Sequence, residues 1–246
     1  MLAFAPVVTE YREGSHLRGR PLHVADNFSV RINPELPDGQ QLTMFNFASG
    51  PFAVALRDDI AARLNLDGDS AALASEATFR ALLAARGVQL SNPEYSFYID
   101  RATRPLIEAE PDARSIRILT SADAAAFAEF EAANSPEDID EAYVELDHWV
   151  VMGAAVRDRI VGAASMYPWR GTALADIGVI VRPDARGAGH ARSLVRALAR
   201  EAYRRGYEPQ YRCDVVNDAS RALASSSGFT LYGTWEPIAQ SEAQGA

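Results

Sequence analysis

The fold of the second half of this 246-residue chain is decided by the stretch Val179-Ile180-Val181-Arg182-Pro183-Asp184-Ala185-Arg186-Gly187-Ala188-Gly189-His190-Ala191-Arg192. It opens with three apolar residues, typical of a buried strand, and closes on the first residues of an amphipathic helix. Gly187 and Gly189 carry no Cβ, so a ligand can approach the backbone closely. Amide groups at the start of a helix lack internal partners and attract anions. The stretch therefore predicts a strand, a phosphate-binding loop and a helix.

The helix after the loop is indicated by its periodicity and by the way it ends. Its apolar residues recur at helical spacing, and its charged residues are expected on the other face. The apolar set is Ala191, Leu194, Val195, Leu198, Ala199 and Ala202, and the charged set is Arg192, Arg196, Arg200 and Glu201. The sequence Arg204-Arg205-Gly206 is typical of a helix C-terminus, where cations suit the dipole and glycine takes a left-handed conformation.

Two common nucleotide-binding loops are excluded by the residues present. A dinucleotide-binding loop needs the pattern G-x-G-x-x-G, which is missing here. A Walker loop needs a lysine after its second glycine, and all 24 basic residues of this chain are arginine. The phosphate-binding loop must therefore serve another class of ligand.

The pattern Arg186-x-x-Gly189-x-Ala191, after an apolar strand, resembles the acyl-CoA pyrophosphate loop of the GNAT superfamily of N-acyltransferases. Two further motifs follow in the order that the superfamily has them, Asn217-Asp218-Ala219-Ser220 and Gly228-Phe229. The resemblance covers residues 115–236. It implies an α+β fold with a mixed, mostly antiparallel sheet flanked by helices. It also implies acetyl-CoA or another acyl-CoA as cosubstrate, with no metal.

The resemblance also implies which residues hold the cosubstrate. Backbone groups of Val179, Ile180 and Val181 would pair with the pantetheine arm, since this strand must splay from its neighbour. Asn217 would contact the cosubstrate near the thioester. The pyrophosphate would lie on the loop residues Arg186, Gly187, Ala188, Gly189, His190, Ala191 and Arg192. The chain has Ala224 where the superfamily often has a tyrosine that protonates the leaving thiolate, so the usual acid is missing.

Three residues are candidates for catalysis, because acyl transfer to an amine needs a group that accepts a proton. Asp176, a carboxylate in an apolar strand, is the first candidate for the base, and the alternative is an ion-pair partner for an arginine. His148 and Glu145 are the next candidates, although a histidine beside a tryptophan is more often a packed side chain. Acidic residues between Glu137 and Asp147 attract a cationic amine or form a solvated helix face. Tyr167 and Tyr232 are candidate donors to the thiolate or oxyanion.

The chain is predicted to have two parts joined by a linker. Residues 1–100 form an N-terminal α/β region that is accessory, a lid, a dimerisation element or a degenerate second copy of the fold. Residues 101–114 form the linker, because Pro105 and Pro111 interrupt a stretch without periodicity. Residues 115–246 form the acyltransferase domain. Within the first part, strands are expected at 28–32, 42–47 and 95–99, helices at 58–66 and 75–86, and a turn at Asp67-Gly68-Asp69.

Composition limits the partners and the compartment. A formal net charge of −9 argues against nucleic acid and anionic membrane as partners. The single cysteine, Cys213, excludes an intramolecular disulfide, and no apolar run reaches transmembrane length. We therefore expect a cytoplasmic enzyme, an acyl-CoA-dependent N-acetyltransferase acting on a small-molecule or peptide amine, with a homodimer possible. The alternative is a noncatalytic acyl-CoA-binding sensor or scaffold.

Overall fold

The computed structural model describes residues 3–66 and 73–239, which fold as two compact units. The first unit contains residues 3–8, Phe97–Arg212 and Asn217–Thr230, and the second contains Thr9–Ser96, Cys213–Val216 and 231–239. These units differ from the predicted division of the chain. Residues 101–114, predicted as a linker, lie inside the first unit, whereas residues 231–239 belong to the second.

The described residues contain both helices and strands. The helices are α1 (Pro6–Leu17), α2 (Asp58–Leu64), α3 (Glu76–Ala85), α4 (Arg104–Glu108), α5 (Ala124–Glu131), α6 (Pro136–Ala142), α7 (His190–Arg204) and α8 (Asp218–Ser226). The strands are β1 (Arg20–Val24), β2 (Phe28–Ile32), β3 (Leu42–Phe47), β4 (Phe52–Leu56), β5 (Glu94–Tyr98), β6 (Ile116–Ile118), β7 (Val150–Val156), β8 (Arg159–Pro168), β9 (Leu174–Val181), β10 (Glu208–Asp214) and β11 (Thr230–Pro237). None of these helices is long and apolar enough to span a membrane.

The sheet of the first unit has the strand order β10-β9-β8-β7-β6. Its neighbours pair antiparallel except β9 and β10, which pair in parallel and are joined through α7. Phe127 and Phe130 of α5 pack with Ile160 and Ile180 of the sheet in one core cluster. The predicted fold class, a mixed and mostly antiparallel sheet flanked by helices, is confirmed.

Local sequence signals set the turns and caps of this unit. Arg157 and Asp158, between β7 and β8, have φ of 51° and 64°, as a two-residue hairpin of the primed type requires. Thr120 and Asp123 form a capping box ahead of α5. Gly206 follows α7 with φ of 80°, as predicted. These features could be predicted because each depends on a few adjacent residues.

Two arginines on the charged face of α7, Arg196 and Arg200, are covered by carboxylates from another segment of the chain. Arg200 is only 6% exposed. Its Nη1 donates to Glu110 Oε2 at 3.1 Å and its Nη2 to Asp112 Oδ1 at 3.2 Å, and Arg196 Nε donates to Glu110 Oε2 at 2.8 Å. These carboxylates come from the predicted linker, which is packed on α7. Within that stretch Pro105 lies in the first turn of α4 instead of breaking structure, because proline suits that position of a helix.

The second unit has the strand order β1-β2-β4-β3-β11, in which β2 and β4 pair in parallel and the other pairs are antiparallel. Its core is an apolar cluster around Val30, Val54 and Phe79. α1, β1 and β4 were not predicted. The strand order differs from that of the first unit. A degenerate second copy of the fold in the N-terminal region stays a prediction. The predicted turn at Asp67-Gly68-Asp69 lies outside the described residues.

Candidate active site

Strands β9 and β10 lie side by side over only part of their length. They pair from Leu174 opposite Glu208 to Ile177 opposite Tyr211, although both strands continue beyond that point. The other edge of β9 stays paired with β8 as far as Val181. Over residues 178–181, no described strand is in register with the β10-facing edge of β9. This segment contains Val179, Ile180 and Val181, the residues whose backbone was predicted to pair with the pantetheine arm.

The loop after β9 exposes backbone amides. Gly187 and Gly189 have φ of 79° and 82°, a conformation that other residues rarely adopt, and an added Cβ at either would meet no atom within 4 Å. Within 3–66 and 73–239, no group accepts a hydrogen bond from the amides of residues 187–192. Gly189 is the N-cap of α7 and supplies no capping side chain. Free amides, open space and a helix dipole together fit a diphosphate.

Two of the predicted cosubstrate residues are held by side chains of α6. Arg186 Nη2 donates to Asp138 Oδ2 at 2.9 Å, and its Nε donates to the carbonyl oxygen of Val181 at 3.2 Å. Asn217 Nδ2 donates to Glu141 Oε1 at 2.5 Å, while its Oδ1 caps α8 by accepting from the Ser220 amide at 2.8 Å. Part of the acidic run therefore pairs with these residues instead of facing solvent alone.

His148 lies where β9 and β10 part. Its Nδ1 is 2.8 Å from Ser165 Oγ of β8, and Ser165 is the cross-strand partner of Gly178, the first residue beyond the paired segment. Its Nε2 is 3.4 Å from Glu145 Oε2. Burial lowers the pKa of His148, and the nearby carboxylates of Glu145 and Asp147 oppose that shift. The imidazole is therefore neutral at physiological pH and able to accept a proton.

The rings of two tyrosines surround this histidine. The Tyr143 ring centroid is 4.9 Å from that of His148, and the Tyr167 centroid is 5.0 Å from it. Burial raises the pKa of Tyr167 well above its usual value, and the Asp176 carboxylate raises it further. The Tyr167 hydroxyl donates to Asp176 Oδ2 at 3.1 Å, so it is protonated and already engaged.

Asp176 is buried in a network of donors. Arg212 donates to it twice, from Nε at 3.1 Å and Nη2 at 2.8 Å, and Gln210 Nε2 donates at 2.8 Å. Asp176 is 5% exposed. With the Tyr167 hydroxyl, four donors point at its two oxygens. The geometry therefore corresponds to the alternative that the sequence left open, an ion-pair partner for an arginine.

The structure brings together Asp176, His148 and Glu145 with residues that the sequence did not single out for catalysis or had assigned otherwise. Ser165, Tyr143 and Arg212 are new. Ser165 and Tyr167 are two apart on one strand, so the alternation of side chains places them on one face, a signal that was readable in the sequence. Tyr232, predicted as a donor, instead packs on Phe45 and Phe47 at about 6 Å. The described residues contain no cluster of His, Cys, Asp and Glu that could hold a metal ion.

The order of strands and helices, the exposed loop and the parting of two parallel strands agree with one family of proteins. Residues 116–229 match the sequence model of the acetyltransferase (GNAT) family. This segment is a GNAT domain. No curated protein matches the chain by sequence.

Solved structures of the same family are similar to parts of this chain. An acetyltransferase from the GNAT family of Colwellia psychrerythraea is 18% identical, over 67% of this chain and 62% of that one, with a TM-score of 0.49. A GCN5-related N-acetyltransferase from Sphaerobacter thermophilus is 17% identical, over 67% of this chain and 56% of that one, with a TM-score of 0.44. A ribosomal-protein-alanine N-acetyltransferase from Brucella melitensis is 24% identical, over 50% of this chain and 99% of that one, with a TM-score of 0.38. The match spans less than two thirds of the first two proteins, and the family assignment depends on residues 116–229 alone.

Proposed function

We propose that this protein is an acyl-CoA-dependent N-acyltransferase, with acetyl-CoA as donor and a small-molecule or peptide amine as acceptor. The observation that supports this most directly is the set of unpaired amides at residues 187–192, adjoining a strand whose β10-facing edge is open. His148 stands at the head of the same cleft, where Ser165 and Gly178 face each other across β8 and β9. The proton acceptor His148 thus lies near one end of the open β9 edge, and the loop that would bind a diphosphate lies at the other end.

The residues present fit coenzyme A, whose thioester supplies the activated acyl carbon. The loop amides would hold the diphosphate, and the backbone of Val179–Val181 would pair with the pantetheine arm. Arg186, Asn217 and Arg192 would adjoin it from the loop and from α8. The loop would bind the diphosphate through its main-chain amides, whichever side chains its residues carry. A histidine at position 190 is therefore compatible with diphosphate binding.

We assign the role of base to His148. The neutral ring carries one proton, which we place on Nδ1, donated to Ser165 Oγ, so that Nε2 is the accepting nitrogen. The Glu145 carboxylate beside Nε2 would stabilise the imidazolium that forms. One proton of the substrate ammonium would pass to His148 Nε2, and the neutral amine nitrogen would bond to the acyl carbon as the carbonyl π pair moves to oxygen. The carbonyl would then re-form while the carbon–sulfur bond breaks with its electron pair going to sulfur, and the remaining extra proton on nitrogen would pass to the thiolate.

Asp176 becomes a positioning residue in this proposal. Its oxygens orient Arg212, Gln210 and Tyr167, and none is left to take a proton from a substrate. Ala224 is fully buried and brings no acid to the thiolate. A CoA thiolate is a tolerable leaving group at neutral pH, so transfer proceeds without an acid at that position.

Calorimetry with coenzyme A tests the cosubstrate site. Gly189→Ala strains the left-handed backbone and puts a Cβ into the open space of the loop, so we expect affinity to fall about five- to thirty-fold. Gly206→Ala is the matched control, because Gly206 has φ of 80° and open space at the far end of the same helix. Equal affinities for the two variants, or no binding by the wild type, would refute the site.

A noncatalytic sensor is the second candidate, favoured by the missing tyrosine at Ala224. Release of free thiol from acetyl-CoA, measured across a panel of amines, separates the two functions. Turnover on any amine supports the transferase. Tight binding of coenzyme A with no turnover on any amine of the panel supports the sensor.

A further inference from the structure

We infer that helix α6 covers the cosubstrate cleft and that coenzyme A displaces it on binding. This inference rests on the proposed function and concerns the regulation of the same site. It depends on two side-chain contacts of α6, Asp138 with Arg186 and Glu141 with Asn217, which are called the α6 pairs below. Each of them engages a residue that the sequence assigned to the cosubstrate.

Helix α6 lies along the open edge of β9. At its C-terminal end, a Cβ on Gly178 would lie 2.1 Å from the carbonyl oxygen of Ala142, so the helix rests on the strand there. In its first turn, Asp138 Oδ2 accepts from Arg186 Nη2 at 2.9 Å, in the loop beyond β9. Seven helical residues extend about 10 Å, and four strand residues extend about 13 Å. The helix therefore covers the length of residues 178–181.

The first of the α6 pairs occupies a backbone acceptor of that edge. The Arg182 amide donates to the carbonyl oxygen of Val161 in β8. Because successive residues of a strand direct their backbone groups to opposite sides, the Val181 carbonyl points away from β8, to the open edge. Arg186 Nε donates to this carbonyl oxygen at 3.2 Å, while Asp138 holds Nη2 of the same side chain. The guanidinium thus engages a group that the pantetheine arm would use.

The second of the α6 pairs reaches to the β10 side of the cleft. Asn217 is the N-cap of α8, the helix that follows β10. Its Oδ1 accepts from the Ser220 amide at 2.8 Å, which leaves Nδ2 as its polar group for a ligand. Nδ2 donates to Glu141 Oε1 at 2.5 Å. Glu141 therefore engages the side-chain donor that would contact coenzyme A near the thioester.

The charge of α6 opposes that of the cosubstrate. The helix has no basic residue, and it carries four carboxylates, those of Glu137, Asp138, Asp140 and Glu141. Coenzyme A is a polyanion, and its diphosphate is expected on the loop that contains Arg186. A carboxylate and a diphosphate repel each other when they share one guanidinium. Binding of coenzyme A therefore favours a conformation in which Asp138 has left Arg186.

The α6 pairs are weak enough for a ligand to displace them. The side chains of Arg186 and Asp138 are 53% and 39% exposed. Ion pairs with such exposure shift an equilibrium only a few-fold each. The affinity for a ligand falls in proportion to the fraction of protein that is competent to bind it. Together the two pairs should lower the affinity for coenzyme A about three- to twenty-fold.

Calorimetry with coenzyme A and two double variants tests the inference. Asp138→Ala/Glu141→Ala removes both α6 pairs and should bind about three- to twenty-fold more tightly than the wild type. Glu137→Ala/Asp140→Ala is the matched control. It removes two exposed carboxylates of the same helix, neither of which forms an ion pair within the described residues. Since exposed charges are screened by salt, the control should stay within about twofold of the wild type.

Amide hydrogen exchange of the wild type, followed by NMR, gives a measurement that needs no variant. Coenzyme A should speed exchange in α6, for example at the Tyr143 amide, which donates to the Ile139 carbonyl oxygen at 3.0 Å. Exchange in α3 of the second unit should not change.

The two measurements separate this inference from the proposed function. Equal or weaker binding by Asp138→Ala/Glu141→Ala, an equal gain in the control variant, or unchanged or slower exchange in α6 would overturn the inference. In each of these cases coenzyme A still binds, so the cosubstrate site stands. Failure of the wild type to bind coenzyme A refutes the proposed function instead.

Discussion

His148 in the first unit and His16 in the second are both packed among aromatic rings, yet their chemistry differs. His148 lies 4.9 and 5.0 Å from two tyrosine rings, and His16 lies 5.0 and 6.3 Å from the rings of Phe45 and Phe47. Each also makes polar contacts through both ring nitrogens. The immediate packing of the two imidazoles is therefore alike.

Access to water and to carboxylates separates the two histidines. His16 is 2% exposed, and burial together with the Arg12 charge lowers its pKa to about 3, although a hydrogen bond to the Arg12 carbonyl opposes the shift. The His148 side chain is 9% exposed, and Glu145 and Asp147 oppose the lowering of its pKa. A histidine that is neutral but can still be protonated serves as a base, whereas one that cannot be protonated serves only packing.

The largest expected effect comes from His148→Gln, which keeps a polar side chain of similar size beside Ser165. Loss of the base should reduce kcat/KM by about 10²- to 10⁴-fold. In the wild type, the rate should fall as pH drops through a midpoint below 6.5, because the pKa of His148 is lowered and only the neutral ring accepts a proton. The variant should lack this acid limb.

Two controls separate catalysis from folding in that experiment. His148→Gln should bind coenzyme A as the wild type does by calorimetry. His23→Gln, which removes a histidine of β1 in the second unit, should retain wild-type kcat/KM. A rate for His148→Gln within a few-fold of the wild type would assign the base to another residue and remove the contrast between the two histidines.

The next effect concerns Asp176, and it distinguishes a positioning residue from a base. Asp176→Asn removes the carboxylate from the buried pair with Arg212, so we expect the free energy of unfolding to fall by about 3 kcal/mol in urea denaturation. The Asp176→Leu/Arg212→Met double variant should lose less than the sum of its single variants. The acid limb of the rate should persist in Asp176→Asn. Unchanged stability with a rate as low as that of His148→Gln would restore Asp176 as the base.

The case of Asp176 shows where prediction from the sequence succeeds and fails. β2 and β3 were predicted at their observed bounds, since their limits depend on adjacent turn residues. The partner of Asp176 is 36 residues away, on a strand whose register no local pattern reveals. The sequence therefore identified the unusual carboxylate and offered both readings of it, but could not choose between them.

The placement of Tyr143 and the domain boundaries could not be predicted, for the same reason. Tyr143 stands in an acidic run, and nothing nearby in the sequence shows that its backbone turns left-handed above Gly178. The stretch 101–114 looks like a linker until Glu110 and Asp112 are seen to pair with arginines of α7. β11 joins β3 of the second unit through pairing across more than 180 residues. The loop at residues 186–192 was predictable because its chemistry lies in consecutive residues.

The smallest expected effect tests the other side of the comparison, the histidine that does not react. His16 Nδ1 faces the Arg12 carbonyl at 2.8 Å and must donate, so Nε2 accepts from the Thr43 hydroxyl at 3.2 Å, whose oxygen accepts from Trp235 Nε1 at 2.7 Å.

The unfolded chain takes up a proton at His16 below pH 6.5, whereas the folded chain does so only near pH 3. The stabilisation is complete above 6.5 and is lost as pH falls toward 3. By urea denaturation, the wild type should lose about 2 kcal/mol more than His16→Asn between pH 7 and 5. Parallel losses in both proteins would show that His16 is protonated in the folded state, and burial would then no longer distinguish the two histidines.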